Sequence, residues 1–277
     1  LLGDRGEMLA AAIAAVHLNI HVTHIHGGER SGTIDESIRH AISKLAHYHC
    51  VATEKSKQRL LKMGEFDEHI SVTGAPGLDE ILSQERPTRG SICNAYGLDS
   101  KQPFDLLLFH PVVQQEGNLM QQMDIVLRAV TRECKQPLVF LPNADAGAEE
   151  IRMVIQKYKK LGAIKTIMHA PRLDYLALLC HADMLIGNSS SGIIEAASLS
   201  TPVVNVGQRQ NARERNKNTI DVGVVEQDIV GAIKIARSMI SSDWANVYGN
   251  GHAGENIMVF LENLDLKAEH LEKMNAF

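Results

Sequence analysis

Residues 184–195 read MLIGNSSSGIIE, and this stretch decides the fold. Met184, Leu185 and Ile186 form an apolar run, Gly187-Asn188-Ser189-Ser190-Ser191-Gly192 a loop of small residues, and a helical pattern runs on through Glu195. Strand, tight turn and helix in direct succession make the βα unit of a parallel sheet. Small side chains let backbone N–H groups approach a ligand, hydroxyls add donors, and a helix start carries partial positive charge. The turn is therefore an anion site suited to phosphate. No Lys follows, which separates it from a P-loop. A plain Ser N-cap is the simpler alternative, but three serines between two glycines exceed what a cap requires.

The same alternation extends in both directions. Apolar strands are expected at 104–109, 138–141, 165–168 and 203–206, with helical patterns such as 118–132 and 148–160 between them. An earlier series runs as helix 6–18, strand 21–25, a Gly27-Gly28 loop, and a helix 33–47 with Ile34, Ile38, Ile42 and Leu45 on one stripe. Strand 50–52, helix 54–63, strand 70–73 and helix 78–83 follow. Residues 85–103 lack periodicity and carry two prolines and two glycines, as a linker would. Helices near 226–240 and 253–264 and a charged tail helix close the chain. The expectation is an α/β protein of two doubly wound domains facing a cleft, residues 1–84 and 104–277, joined by that linker. Ligands of such sheets sit at the carboxyl ends of the strands, so the strand-to-helix loops are the ones to inspect.

Composition narrows the partner. The chain has 277 residues, 44% apolar and 22% charged, with a net charge of −5 and no basic stripe. Neither nucleic acid nor an anionic membrane surface is an expected partner. The longest apolar run, 8–16, is too short to span a bilayer. Cys50, Cys93, Cys134 and Cys180 form no CxxC pair, and no signal-peptide pattern is visible. These features fit buried thiols in a reducing cytoplasm and a small-molecule ligand. The chain opens on Leu1-Leu2-Gly3-Asp4-Arg5 without an initiator Met, inside an apolar strand, which predicts residues upstream.

Several loops carry chemistry. Glu195 beside the anion site would repel a phosphate unless it accepted hydrogen bonds from sugar hydroxyls. A ribose partner explains it, and so does a dipole-favourable place in the first turns of a helix. In GQRQNARER at 207–215, Arg209 and Arg213 could neutralise a diphosphate by forked hydrogen bonds; a solvated charged loop is the alternative. Gly3-Asp4-Arg5, His26-Gly27-Gly28-Glu29 and His110-Pro111 each sit at a strand's carboxyl end and together offer an acid/base set. Thr33 and Glu36 read as a capping box, and Asp35 and Arg39 as either site residues or an i,i+4 ion pair. His24 and His26, like His47 and His49, share a strand face at HxH spacing, but no carboxylate stands at a familiar ligand distance, so no metal is expected.

Seven motifs in one order carry a resemblance: GDR at 3–5, HIHGGE at 24–29, GTIDESIRHAISKLAHYH at 32–49, HPV at 110–112, PNADAG at 142–147, GNSSSGIIEAAS at 187–198 and GQRQNARERNKN at 207–218. The chain resembles the hydrolysing UDP-N-acetylglucosamine 2-epimerases of the sialic acid pathway. The resemblance implies a GT-B-like fold of two Rossmann-type domains and a homo-oligomer. It also implies conversion of UDP-GlcNAc and water into N-acetylmannosamine and UDP, with no metal or redox cofactor. By matching motifs, Ser189, Ser190 and Arg209 would hold the diphosphate and Glu195 the ribose, while Asn143 and His169 would line the pocket. Asp4, Arg5, Asp35, Arg39 and His110 would surround the hexosamine, with Asp4 and Asp35 as acid/base carboxylates and His110 as proton donor on the leaving side.

His26 stands where animal members carry Glu, so an imidazole takes over proton transfer or the sugar differs. Bacterial relatives acting on a UDP-2,4-diacetamido-trideoxy sugar of the legionaminic acid pathway share the frame and are the alternative. Family members also carry roughly a hundred further residues at the start, the bulk of a Rossmann-type domain, so the first domain is expected to be truncated. A UDP-binding fragment without catalysis and a GT-B glycosyltransferase are the readings from other classes.

Overall fold

The computed structural model describes residues 1–31, 34–79, 81, 83–112, 119–142, 147–239 and 244–276. They divide into two units, Leu1–Leu82 with Asn246–Phe277, and Ser83–Ala245.

In the first unit, helix α1 (Gly6–His17) leads into β1 (Thr23–Ile25), α2 (Ile34–Leu45), β2 (Tyr48–Val51), α3 (Glu54–Lys62) and β3 (Ile70–Val72). The three strands lie parallel in the order β1-β2-β3. All four residues of β2, the central strand, are buried, as parallel strands covered on both faces must be. Thr53 caps α3, its side chain accepting from the Ser56 amide at 3.2 Å. The chain start is itself paired: Leu2 bridges Ile25 in parallel, and the Ile25 amide donates to Leu1 O at 2.8 Å. Asp4 thus leaves a strand-like segment beside the carboxyl end of β1.

The second unit begins with α4 (Arg89–Ala95) and continues through β4 (Asp105–Leu108), α5 (Leu119–Glu133), β5 (Pro137–Phe140), α6 (Ala148–Lys160), β6 (Lys165–Ile167), α7 (Arg172–His181), β7 (Leu185–Gly187), α8 (Ser190–Ile194), β8 (Val203–Val206), β9 (Thr219–Val222) and α9 (Glu226–Ser238). Its six strands are all parallel, in the order β6-β5-β4-β7-β8-β9. Renumbered within the unit this is 3-2-1-4-5-6, the Rossmann order, whose direction reverses between β4 and β7. Leu107, Phe109, Ile186, Val204 and Val206 join α5, α6 and α9 in one core. Leu106, Leu108, Leu185 and Val203 alternate with them and are also buried, so both sheet faces are covered.

Four expectations are corrected. The stretch 85–103 is not a bare linker: α4, capped by Thr88, buries Ile92 and Cys93 and packs on α7. Arg89 ties it down through the carbonyls of His181 and, at 2.8 Å, Gln102. The closing segment, assigned with residues 104–277 from sequence, groups with the first unit. There α10 (Ala253–Glu262) has its first amides, Ala253 and Gly254, capped at 2.8 and 2.6 Å by the Asp79 carboxylate. Strand β9 was not expected at all. A 3-10 turn, Pro76–Leu78, stands where the helix 78–83 was expected to begin, and residues 80 and 82 lie outside the described residues. Thr33 of the capping box lies outside them too; Glu36 accepts the Ser31 amide at 2.9 Å.

Candidate active site

At the point where the strand order reverses in the second unit, the carboxyl ends of β4 and β7 lie side by side. Gly187 closes β7 at φ +124°, and a Cβ there would stand 2.0 Å from Leu108 O, so only glycine fits. Asn188, buried, then bonds the two strand ends together. Its amide donates to Leu108 O at 3.0 Å, its Oδ1 accepts the His110 amide at 2.7 Å, and its Nδ2 donates to His110 O at 2.9 Å. His110 is thereby held by its backbone next to the serine turn. Ser189 caps α8, accepting the Ser191 amide, and its Oγ lies 3.0 Å from Ser191 Oγ, which also bonds the Tyr175 hydroxyl.

The loop after β8 wraps the same turn. Arg209 and Gln210 both donate to Asn188 O at 3.0 Å. Arg215 holds the loop's shape through Gln210 O at 2.7 Å, Arg213 O at 2.8 Å and the Asp221 carboxylate. Helix α8 is shorter than expected, and Glu195 stands at its end as C-cap. Arg172 pairs with Glu195 Oε1 at 2.7 Å, while Oε2 is buried with no hydrogen-bond partner among the described residues. Burial pushes this carboxyl above its usual range, against the pull of Arg172. A buried carboxylate oxygen lacking a donor is what a ligand hydroxyl would satisfy. His169 is exposed in the loop after β6, and Asn143 lies outside the described residues.

In the first unit, the carboxyl end of β1 gathers a second cluster. Asp4 is paired with the Arg39 guanidinium, whose Nη1 also donates to Glu29 O at 2.8 Å. Arg39 is only 1% exposed, so it stands behind Asp4 as an anchor. His26 adopts φ +66°, outside the strand, and its Nε2 lies 3.3 Å from Glu29 Oε2. A non-glycine residue in the left-handed region marks a backbone fixed by its surroundings. Next to it Gly28, at φ +69°, would put a Cβ 2.6 Å from Ser56 O, so the loop presses directly on α3. Asp35 is half-buried in the first turn of α2, and Arg5 is exposed at the start of α1.

The HxH pairs are engaged elsewhere. His24 is fully buried, with Nε2 donating to Gly3 O at 2.9 Å and Nδ1 2.9 Å from Ser43 Oγ. Burial pushes its pKa down to about 3, so the ring is neutral. His47 Nδ1 accepts the Val22 amide at 3.0 Å, and His49 Nε2 meets Glu65 at 3.0 Å. Among the described residues no group of three His, Cys, Asp or Glu is placed to hold a metal. Among them, too, no helix is long and apolar enough to cross a membrane.

Residues 1–262 match the family described as UDP-N-acetylglucosamine 2-epimerase. The chain belongs to that family. It is 49% identical, over all 277 residues and 74% of the relative, to the hydrolysing UDP-N,N'-diacetylbacillosamine 2-epimerase of Legionella pneumophila. It is 36% identical to the UDP-N-acetylglucosamine 2-epimerase of Neisseria meningitidis, over 94% of this chain and 68% of that one. The crystal structure of the Neisseria meningitidis UDP-GlcNAc 2-epimerase bound to UDP-GlcNAc shares the fold, with TM-score 0.80 at 20% identity, covering 95% of this chain and 75% of that one. The parallel α/β architecture is therefore that of the GT-B-type 2-epimerases, and the chain is an enzyme of the UDP-sugar 2-epimerase type.

In this epimerase neither Asn188 nor Tyr175 nor Arg172 stands out in the sequence as a site residue, and Glu29 has no separate role there. Their partners, His110, Ser191, Glu195 and His26, are reached through the fold, and apart from Glu29 none lies within one turn. The one sequence signal was the position of Asn188 inside the small-residue turn, which a residue chosen for size alone would not explain.

Proposed function

We propose that the chain catalyses the hydrolysing 2-epimerisation of a UDP-linked 2-acetamido sugar. The observation that carries this is the hydroxyl-lined turn at the strand-order reversal, stitched to His110 by Asn188 and wrapped by Arg209. Ser189, Ser190 and Arg209 hold the diphosphate, and Glu195 takes the ribose hydroxyls with the carboxylate oxygen that has no donor among the described residues. Asn143 and His169 line the nucleotide or sugar pocket. From the first unit come Asp4, Asp35 and His26 as acid/base groups, with Arg5 towards the sugar and Arg39 fixing Asp4.

In the proposed reaction a base removes the C2 proton while the C1–O bond to UDP breaks, leaving a 2-acetamidoglucal. His110 supplies a proton on the side of the departing diphosphate. Water then adds at C1 and a proton returns to C2 on the opposite face. The sum is UDP-sugar plus water giving UDP plus the free 2-epimer.

The sugar we favour is N,N'-diacetylbacillosamine, because the Legionella pneumophila relative named for it is 49% identical, against 36% for the Neisseria meningitidis UDP-N-acetylglucosamine 2-epimerase. UDP-GlcNAc is the second reading, supported by that 36% relative. Both UDP-sugars are incubated with the chain in D2O, and UDP and sugar are followed by NMR. The expected result is free UDP and a 2-epimer carrying deuterium at C2, formed faster from the diacetamido substrate. An intact UDP-2-epimer, or no UDP, would sink the hydrolysing reading; faster turnover of UDP-GlcNAc would reverse the order of the two sugars.

A further inference from the structure

The serine turn contains a chain of hydroxyls whose direction can be read by counting protons. Ser189 Oγ accepts the Ser191 amide at 3.4 Å and lies 3.0 Å from Ser191 Oγ. Ser191 Oγ in turn hydrogen-bonds the Tyr175 hydroxyl. The Tyr175 ring is fixed by an edge contact with Phe140, centroids 5.6 Å apart, and by its place in the first turns of α7. Burial pushes the phenol above its usual range, so it keeps its proton.

A hydroxyl carries one proton to give and two lone pairs to receive with. A phenol is the stronger acid of the pair and donates to the serine. Ser191 Oγ, having accepted from Tyr175, then passes its own proton to Ser189 Oγ. Ser189 Oγ already accepts a backbone N–H, so its own proton is the one left to point out of the turn. Run the other way, the chain would use the Ser189 proton on Ser191 and turn a lone pair outward, where it would repel an anion. Aligned hydroxyls also polarise one another and strengthen the terminal donor.

We propose that Tyr175 is a positioning residue for diphosphate recognition: through Ser191 it sets the hydroxyl chain so that Ser189 presents a proton to the ligand. This rests on the reading of the turn as the diphosphate site. Tyr175 itself touches no ligand in the scheme.

The test uses the whole 277-residue chain with UDP and with uridine, which lacks the phosphates. Tyr175→Phe removes one oxygen and keeps the ring against Phe140. Calorimetry is expected to show UDP binding weakened about three- to tenfold, the loss of one modest hydrogen bond. Uridine affinity, measured by ligand-observed NMR, stays within twofold of the unaltered chain. Ser191→Ala is expected to cause the same loss, and Tyr175→Phe with Ser191→Ala no more than either alone, because the two act in one chain. Should Tyr175→Phe fail to fold, Ser191→Ala decides alone. UDP binding within twofold of the unaltered chain overturns the proposal, and so does an equal loss for uridine, which would make Tyr175 merely structural. Absence of UDP binding by the unaltered chain removes the underlying diphosphate reading as well.

Discussion

Removing the side-chain amide of Asn188 should cost the second unit a large part of its stability. Asn188→Ala deletes the acceptor that takes the His110 amide at 2.7 Å and the donor to His110 O at 2.9 Å. Asn188 is 2% exposed, so water does not readily replace either bond. The two His110 backbone groups are half-buried, so each loses its partner at a cost in the lower part of the about 1–3 kcal/mol of a fully buried group, giving about 2–4 kcal/mol for the pair. That is a sizeable fraction of the 5–15 kcal/mol typical of a native protein. With a urea slope of about 2 kcal/mol/M for a unit of this size, the unfolding midpoint should fall by roughly 1–2 M. The transition is followed by circular dichroism, with calorimetric titration of UDP under native conditions on the same sample. UDP affinity should fall as well: the backbone carbonyl of residue 188, which anchors Arg209 and Gln210, is retained, but without the side-chain bonds to His110 it is no longer held in place. A midpoint within about 0.2 M of the unaltered chain would refute the claim that Asn188 bolts β4 to β7.

Other outcomes follow from the first unit. Asp4→Asn should lower turnover of the UDP-sugar at least a hundredfold, about 3 kcal/mol in the barrier, while UDP affinity stays within twofold; retained turnover in a coupled UDP-release assay would exclude Asp4 as an acid/base group. Glu65 is buried between Lys44 and Lys273, each at 2.7 Å, and His49 at 3.0 Å. Burial raises its carboxyl, but these partners outweigh it and hold the pKa at about 2. Its ionised form therefore adds stability that is complete above the unfolded value near 4.3 and is lost as pH falls towards 2. Glu65→Gln should cost about 2–4 kcal/mol at pH 7 by urea denaturation, and an unchanged midpoint would contradict the assignment. His24 is depressed to about 3, so the unfolded chain takes up its proton first as pH falls below about 6.5. Stability should decline from pH 6.5 towards 3, and His24→Gln should flatten that part of the pH–stability curve; an unflattened curve would mean another group governs it.

How much of this was legible in the sequence depended on how local each cause was. Strands β4 and β8 are legible nearly to the residue because every position in them is buried, and their apolar runs are broken by a single polar residue each, Asp105 and Asn205. Strand β9, TIDV, lies at the sheet edge with every residue at least partly exposed, so it carries no such run. Helix α10 was assigned to the wrong unit because its cap, Asp79, is 174 residues away from Ala253. Helix α4 has only seven residues, too few for its buried Ile92 and Cys93 to form a repeating stripe. At the site, the glycine and serines of the turn announced themselves by composition. The grouping of Asp4 with Arg39 did not, since Asp35, one turn away on α2, was the nearer partner by spacing; the fold brings Arg39 to Asp4 from 35 residues off.

The most direct test of the account is a crystal structure of the chain with UDP bound. The expected density places the diphosphate within hydrogen-bonding distance of the Ser189 and Ser190 hydroxyls and the Arg209 guanidinium, with a ribose hydroxyl on Glu195. A diphosphate seated anywhere away from the turn that follows β7 would contradict the central claim.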